Sequence, residues 1–89
     1  MKIALSNKNF LVTGSAGIGV GSGICKAIDR AGGTLVINDL SKENVEEATK
    51  KYNNAIGIVA DISKSEEVDR LFHEIKTKLG PLHGVINNA

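Results

Sequence analysis

Apolar and polar positions follow two periods along this chain, and each change of period marks the boundary of an element. Phe10-Leu11-Val12-Thr13 is short, apolar and β-prone. Gly14 to Gly23 then holds five glycines at alternate or near-alternate spacing. From Ile24 to Ala31 the period becomes helical, with Ile24, Ala27, Ile28 and Ala31 on one face. Gly32-Gly33 ends that helix. Thr34-Leu35-Val36-Ile37 reads as a second strand, and Asp39 closes it.

The alternation continues. Ser41 is placed to cap a helix running to about Tyr52, with Val45, Ala48 and Tyr52 on the inner face and lysines and glutamates outside. Asn53-Asn54 breaks it, and Ala55 to Ala60 reads as a third strand. Ser63-Lys64-Ser65-Glu66 has capping-box spacing. A long helix follows, with Val68, Leu71, Phe72, Ile75 and Leu79 at helical intervals, stopped by Gly80-Pro81. Leu82 to Ile86 is the fourth strand, ending in Asn87-Asn88-Ala89. This β, α, β, α, β, α, β order predicts the α/β class: a parallel sheet, right-handed crossovers and helices on both faces.

The segment from Phe10 to Asp39 carries the most specific chemistry. It is a βαβ unit of about 30 residues with glycines at the first turn and an acid after the second strand. A helix N-terminus offers unpaired N–H groups and a partial positive charge, which suit a pyrophosphate. Glycine lets the backbone turn tightly and approach the phosphate closely. An acid about 20 residues on accepts hydrogen bonds from the hydroxyls of an adenosine ribose. A solvated turn acid is the plainer reading of Asp39. The strand, turn and helix around it favour dinucleotide binding.

Composition narrows the picture only a little. At 89 residues the chain is one domain at most, residues 1–89, and buries about two-thirds of its unfolded surface. The net charge of +1, with acids and bases interspersed, points away from nucleic acid and from an anionic membrane. Ile3-Ala4-Leu5 is too short for a signal peptide or a membrane span, so a cytoplasmic location is expected. Cys25 is the single cysteine and permits no internal disulfide. It reads as a packing thiol, although a helix N-terminus would lower its pKa. Gly21 to Lys26 lacks the glycine before the lysine and the hydroxyl after it that a P-loop needs. His73 and His83 form no metal-ligand spacing and are expected at the surface, and no metal site is expected.

Thr13-Gly14, the glycine turn, Asp39, Asp61-Ile62 and Asn87-Asn88-Ala89, in that order, resemble the amino-terminal half of the short-chain dehydrogenase/reductase family. The resemblance covers nearly the whole chain. It implies a Rossmann-type sheet in the order 3-2-1-4, with a nucleotide over the carboxyl ends of the strands. The family's turn reads Thr-Gly, three variable residues, Gly, one residue, Gly, and this chain fits only with an extra residue or with a shifted helix start. Gly14, Gly19 and Gly21 give the helix its normal length around the loop Ser15-Ala16-Gly17-Ile18, whereas Gly17 and Gly19 in those roles would lengthen it by two residues.

By the same resemblance Asp61 accepts from the adenine amino group, the Ile62 N–H donates to the ring, and Asn88 lies against the cofactor and braces the strand ends. Asp61 also has the plainer reading of a turn residue ahead of a helix. The implied cofactor-binding set is Gly14, Ser15, Gly19, Gly21, Asp39, Asp61, Ile62 and Asn88. Asp39 implies NAD in preference to NADP. The family's catalytic serine, tyrosine and lysine are expected beyond the fourth strand. Tyr52 has Ile56 where that lysine would stand and cannot serve, so no catalytic residue is expected within these 89 residues. The chain reads as the cofactor-binding part of an oxidoreductase, truncated before the catalytic half. A non-catalytic nucleotide-binding or regulatory module of the same fold is the alternative, and a methyltransferase is disfavoured by the Asn-Asn-Ala ending. The uncovered edge of the fourth strand is expected to promote self-association.

Overall fold

The computed structural model describes residues 4–17 and 19–88, so Ile18 and Ala89 of the quoted motifs, and Ile3 of the first apolar run, lie outside the described residues. The elements are β1 (Asn9–Thr13), α1 (Val20–Arg30), β2 (Thr34–Asp39), α2 (Lys42–Thr49), β3 (Ala55–Val59), α3 (Ser65–Lys78) and β4 (Gly84–Asn87). The four strands form one sheet in the order β3-β2-β1-β4, the arrangement implied by the family resemblance. All pairings are parallel: Leu11 stands opposite Val36 of β2 and Val85 of β4, and Val36 stands opposite Ile56 of β3.

Strand alternation splits the core into two layers. Val12, Leu35 and Ile37 point to one face and meet Cys25 and Ile28 of α1 and Val45 and Ala48 of α2. Leu11, Val36 and Ile58 point to the other and meet Leu71 and Ile75 of α3. The central strands β1 and β2 are therefore apolar on both sides, which is why they read as unbroken runs.

Several boundaries differ from expectation. Helix α1 starts at Val20, ahead of the apolar spacing that begins at Ile24, because its first turn is built on glycine and serine and shows no pattern. Helix α2 ends at Thr49 and tightens into i to i+3 bonds, Lys51 N–H to Ala48 and Tyr52 N–H to Thr49, while Tyr52 still packs on the core. The capping box at Ser63 does not form. Helix α3 is capped at Lys64 without a side-chain bond, and the Ser63 hydroxyl turns back to Asp61. Strand β4 begins at Gly84, two residues after Leu82, which packs beneath the sheet against the α3 layer. Among the described residues, no helix is long and apolar enough to cross a membrane.

Candidate functional site

The carboxyl ends of β1, β2 and β3 meet at a crevice of about 210 Å³, lined by Gly14, Asn38, Asp39, Leu40, Ala60, Asp61, Ile62 and Ser63. Four of the sequence-predicted residues, Gly14, Asp39, Asp61 and Ile62, thus line one concavity.

The turn that enters α1 is fastened at its base. After Gly14 (φ 60°), the Ser15 N–H donates to the Asn38 carbonyl at 3.0 Å, and the Ser15 hydroxyl donates to the Val12 carbonyl at 2.6 Å. Ser15 is buried, so its hydroxyl supports the turn from below and does not line the crevice. The Ala16 N–H donates to Asp39 Oδ2 at 3.1 Å, and Leu40 N–H donates to Oδ1 at 2.9 Å. Asp39 therefore ties the turn to β2 while keeping lone pairs for a further donor.

Gly19 occupies the cap position of α1 with φ 122°, a conformation that disfavours any side chain, and the helix opens immediately after it. Gly21 has a different constraint. A Cβ there would lie 2.5 Å from Asn88 Nδ2 and 3.2 Å from both the Gly14 oxygen and the Ser15 Cα, whereas Gly17 and Gly23 have nothing within 4 Å. The tight contact exists because Asn88 reaches across: its Nδ2 donates to the Gly14 carbonyl at 3.0 Å.

On the far side, Asp61 is held by its own turn. Its Oδ1 accepts from the Ser63 hydroxyl at 2.6 Å and from the Ser63 N–H at 3.0 Å. These two bonds, the hydroxyl first, hold the Asp61 carboxyl below its ordinary value. Cys25 lies fully buried in the layer beneath the turn, and burial pushes its thiol up despite hydrogen bonds with Ser15 and Tyr52. Lowering by the helix N-terminus does not prevail. His73 and His83 are both exposed, and His83 Nδ1 accepts the Asn9 N–H at 2.9 Å.

Several residues that build the site were missed from sequence. Asn38, 2% exposed, donates through Nδ2 to the Ile58 and Ala60 carbonyls at 3.1 and 3.3 Å and so pins the end of β3 to β2. Its signal was available, since it sits two residues after buried Val36 on the same face. The Thr13 hydroxyl donates to Asn87 Oδ1 at 3.0 Å and accepts the Asn88 N–H at 3.1 Å. Glu67 and Arg70 on α3 reach the backbone around Asp61, and no sequence pattern announces them. A separate groove of about 550 Å³ between α3 and β4, lined by Phe72, Ile75, Lys76, Gly80, Pro81, Leu82 and Val85, lacks the convergent polar groups of the crevice.

The chain matches the short chain dehydrogenase family over residues 8–89. It belongs to that family. As a short-chain dehydrogenase chain it is 41% identical to a hydroxynaphthalene reductase-like protein of Metarhizium brunneum, across 97% of its own length and 34% of the relative. It is 30% identical to the 5-keto-D-gluconate 5-reductase of Escherichia coli, covering 97% of this chain and 35% of that protein. Among solved structures, the 2-keto-3-deoxy-D-gluconate dehydrogenase of Streptococcus agalactiae superposes with a TM-score of 0.89 at 30% identity, over 99% of this chain and 34% of that one. The L-sorbose reductase of Gluconobacter frateurii, solved with NADPH and L-sorbose, has a TM-score of 0.90 over 100% of this chain and 35% of its own, and at 23% identity shows the shared fold. The chain thus spans about a third of the length of the curated relatives it matches.

Proposed function

We propose that the crevice at the strand ends takes the adenosine half of a nicotinamide dinucleotide, and that the protein serves hydride transfer between that cofactor and an alcohol or carbonyl compound. The observation that carries this reading is the convergence of two carboxylates, Asp39 and Asp61, with Gly14, the first residue of the glycine turn that leads into α1, on one concavity. Asp39 would accept from the ribose hydroxyls and Asp61 from the adenine amino group, while Ile62 N–H would donate to the ring. Gly14 and Gly19 would let the pyrophosphate approach the first turn of α1, while Gly21 leaves room for Asn88, which would brace the floor between β1 and β4. The bound dinucleotide supplies the hydride chemistry, and these residues bind and orient it.

NAD is favoured over NADP. A 2′-phosphate would set about −1.5 to −2 charges against Asp39. Among the described residues no cation lines the crevice, and Lys42, the nearest base in sequence after the acid, is exposed. Titrating both dinucleotides against the chain tests this reading, with NAD expected to bind more tightly. Asp39→Ala should narrow the gap, and tighter NADP binding by the unmodified protein would reverse the assignment. A purely nucleotide-binding role would share this crevice, and turnover with an alcohol or ketone by the protein as it is expressed separates the two.

We further propose that β4 mediates self-association. Its outer edge carries Gly84, Val85, Ile86 and Asn87, with no proline and no charge to discourage pairing with a second copy.

A further inference from the structure

The end of β3 is gripped from α3 at two backbone groups. The Asp61 N–H donates to Glu67 Oε1 at 3.3 Å, and that oxygen also accepts from Arg70 Nη2 at 2.9 Å. Arg70 Nη2 donates in addition to the Val59 carbonyl at 2.7 Å, and Nη1 donates to Glu74 at 2.7 Å. One guanidinium and one carboxylate thus fix the chain on both sides of Ala60. The Glu67 carboxyl is held below its ordinary value chiefly by the Arg70 hydrogen bond, so both partners stay charged.

Surface ion pairs contribute little to stability by themselves. This pair instead has a geometric output, because its free ends are backbone atoms that aim Asp61. Asp61 Oδ1 is occupied by Ser63, which leaves Oδ2 as the oxygen without a hydrogen bond among the described residues. A carboxylate oxygen accepts from an amino group and opposes a carbonyl, so purines that differ at that position differ in the contact they make with it. Such discrimination depends on placement to within about half an ångström.

We infer that Glu67 and Arg70 are positioning residues for Asp61, and that through it they set selectivity for a purine bearing an exocyclic amino group. The inference rests on the reading of Asp61 as the base acceptor proposed above.

The test compares dissociation constants for NAD, its hypoxanthine analogue and NADP in the unmodified chain, Glu67→Ala, Glu67→Gln and Arg70→Gln. The unmodified chain should prefer NAD over the hypoxanthine dinucleotide. Glu67→Ala should lower that preference roughly five-fold, the scale of one hydrogen bond, and leave the NAD to NADP ratio intact. Glu67→Gln should recover part of it, because an amide oxygen still accepts the Asp61 N–H. Arg70→Gln should lower the same preference, and it carries the test independently if Glu67→Ala does not fold. An unchanged base preference in both Glu67→Ala and Arg70→Gln overturns the inference, and so does a fall in both ratios together, which would mean general loosening. No base preference in the unmodified chain overturns the reading of Asp61 and the inference with it.

Discussion

Replacing the Gly21 hydrogen by a methyl group would set a carbon 2.5 Å from Asn88 Nδ2, with Gly14 and Ser15 blocking retreat. Gly21→Ala should therefore destabilise the fold by about 1–3 kcal/mol and displace Asn88 from the Gly14 carbonyl. Gly23→Ala, in the same helix with nothing within 4 Å, should stabilise by about 0.5–1 kcal/mol. Urea unfolding midpoints should move in opposite directions for the two. The crevice acid offers a second prediction. Asp61 has a depressed folded pKa, so its contribution is present above the unfolded pKa and is lost as pH falls through the folded one. Ser63→Ala should raise the Asp61 titration midpoint seen by NMR. Burial of Cys25 acts at the other end of the scale. Its folded pKa is raised above the ordinary 9.0, so stability should fall as pH rises past that value, and Cys25→Ala should soften this alkaline loss in thermal melts. Tyr52, raised above 10.0 chiefly by burial, should keep part of it.

At the scale of elements, what was legible followed from periodicity. The apolar runs of β1 and β2 and the spacing of Leu71 and Ile75 marked residues that burial does bring into the core, whereas Ala27 and Phe72, which share those apolar patterns, are exposed. Boundaries set by local hydrogen bonds were not legible. Ser63 had two acceptor arrangements open to it, a helix cap or the Asp61 turn, and spacing does not rank them. The site divided in the same way. Asp39 and Asp61 stand at strand ends, where topology delivers them to one crevice, whereas the Arg70 contact with Val59 depends on the reach of a side chain across the helix–sheet gap. Thr13 joins two elements that sequence could not connect. Thr13→Val removes the acceptor of the Asn88 N–H and the donor to Asn87, and should cost about 1–3 kcal/mol. Amide exchange should localise that loss to the end of β4.

At the scale of the whole molecule, the two faces of the sheet are unequally covered. Helices α1 and α2 close one face, while α3 alone covers the other and leaves Val85 52% and Phe72 41% exposed along the α3–β4 groove. Both the groove and the β4 edge therefore favour contact with a second copy. Sedimentation should show a weight-average mass that rises with concentration, and Val85→Lys should hold the chain monomeric. Concentration-independent sedimentation of the unmodified chain would remove this proposal.

The central position of β1 also fixes an order in time. Its neighbour β2 follows after a single helix, whereas Phe10 pairs with Gly84 only after α1, β2, α2, β3 and α3 have all been passed. Closing that longer loop carries the larger entropic cost, and local contacts do not compensate for it early. The β1-α1-β2-α2-β3 portion should assemble first, and β4 should dock onto it afterwards. Thr13→Val, which cuts the late contact, should then accelerate unfolding and leave the folding rate nearly unchanged in stopped-flow measurements. During synthesis, the first strand would wait for its second neighbour until β4 leaves the ribosome.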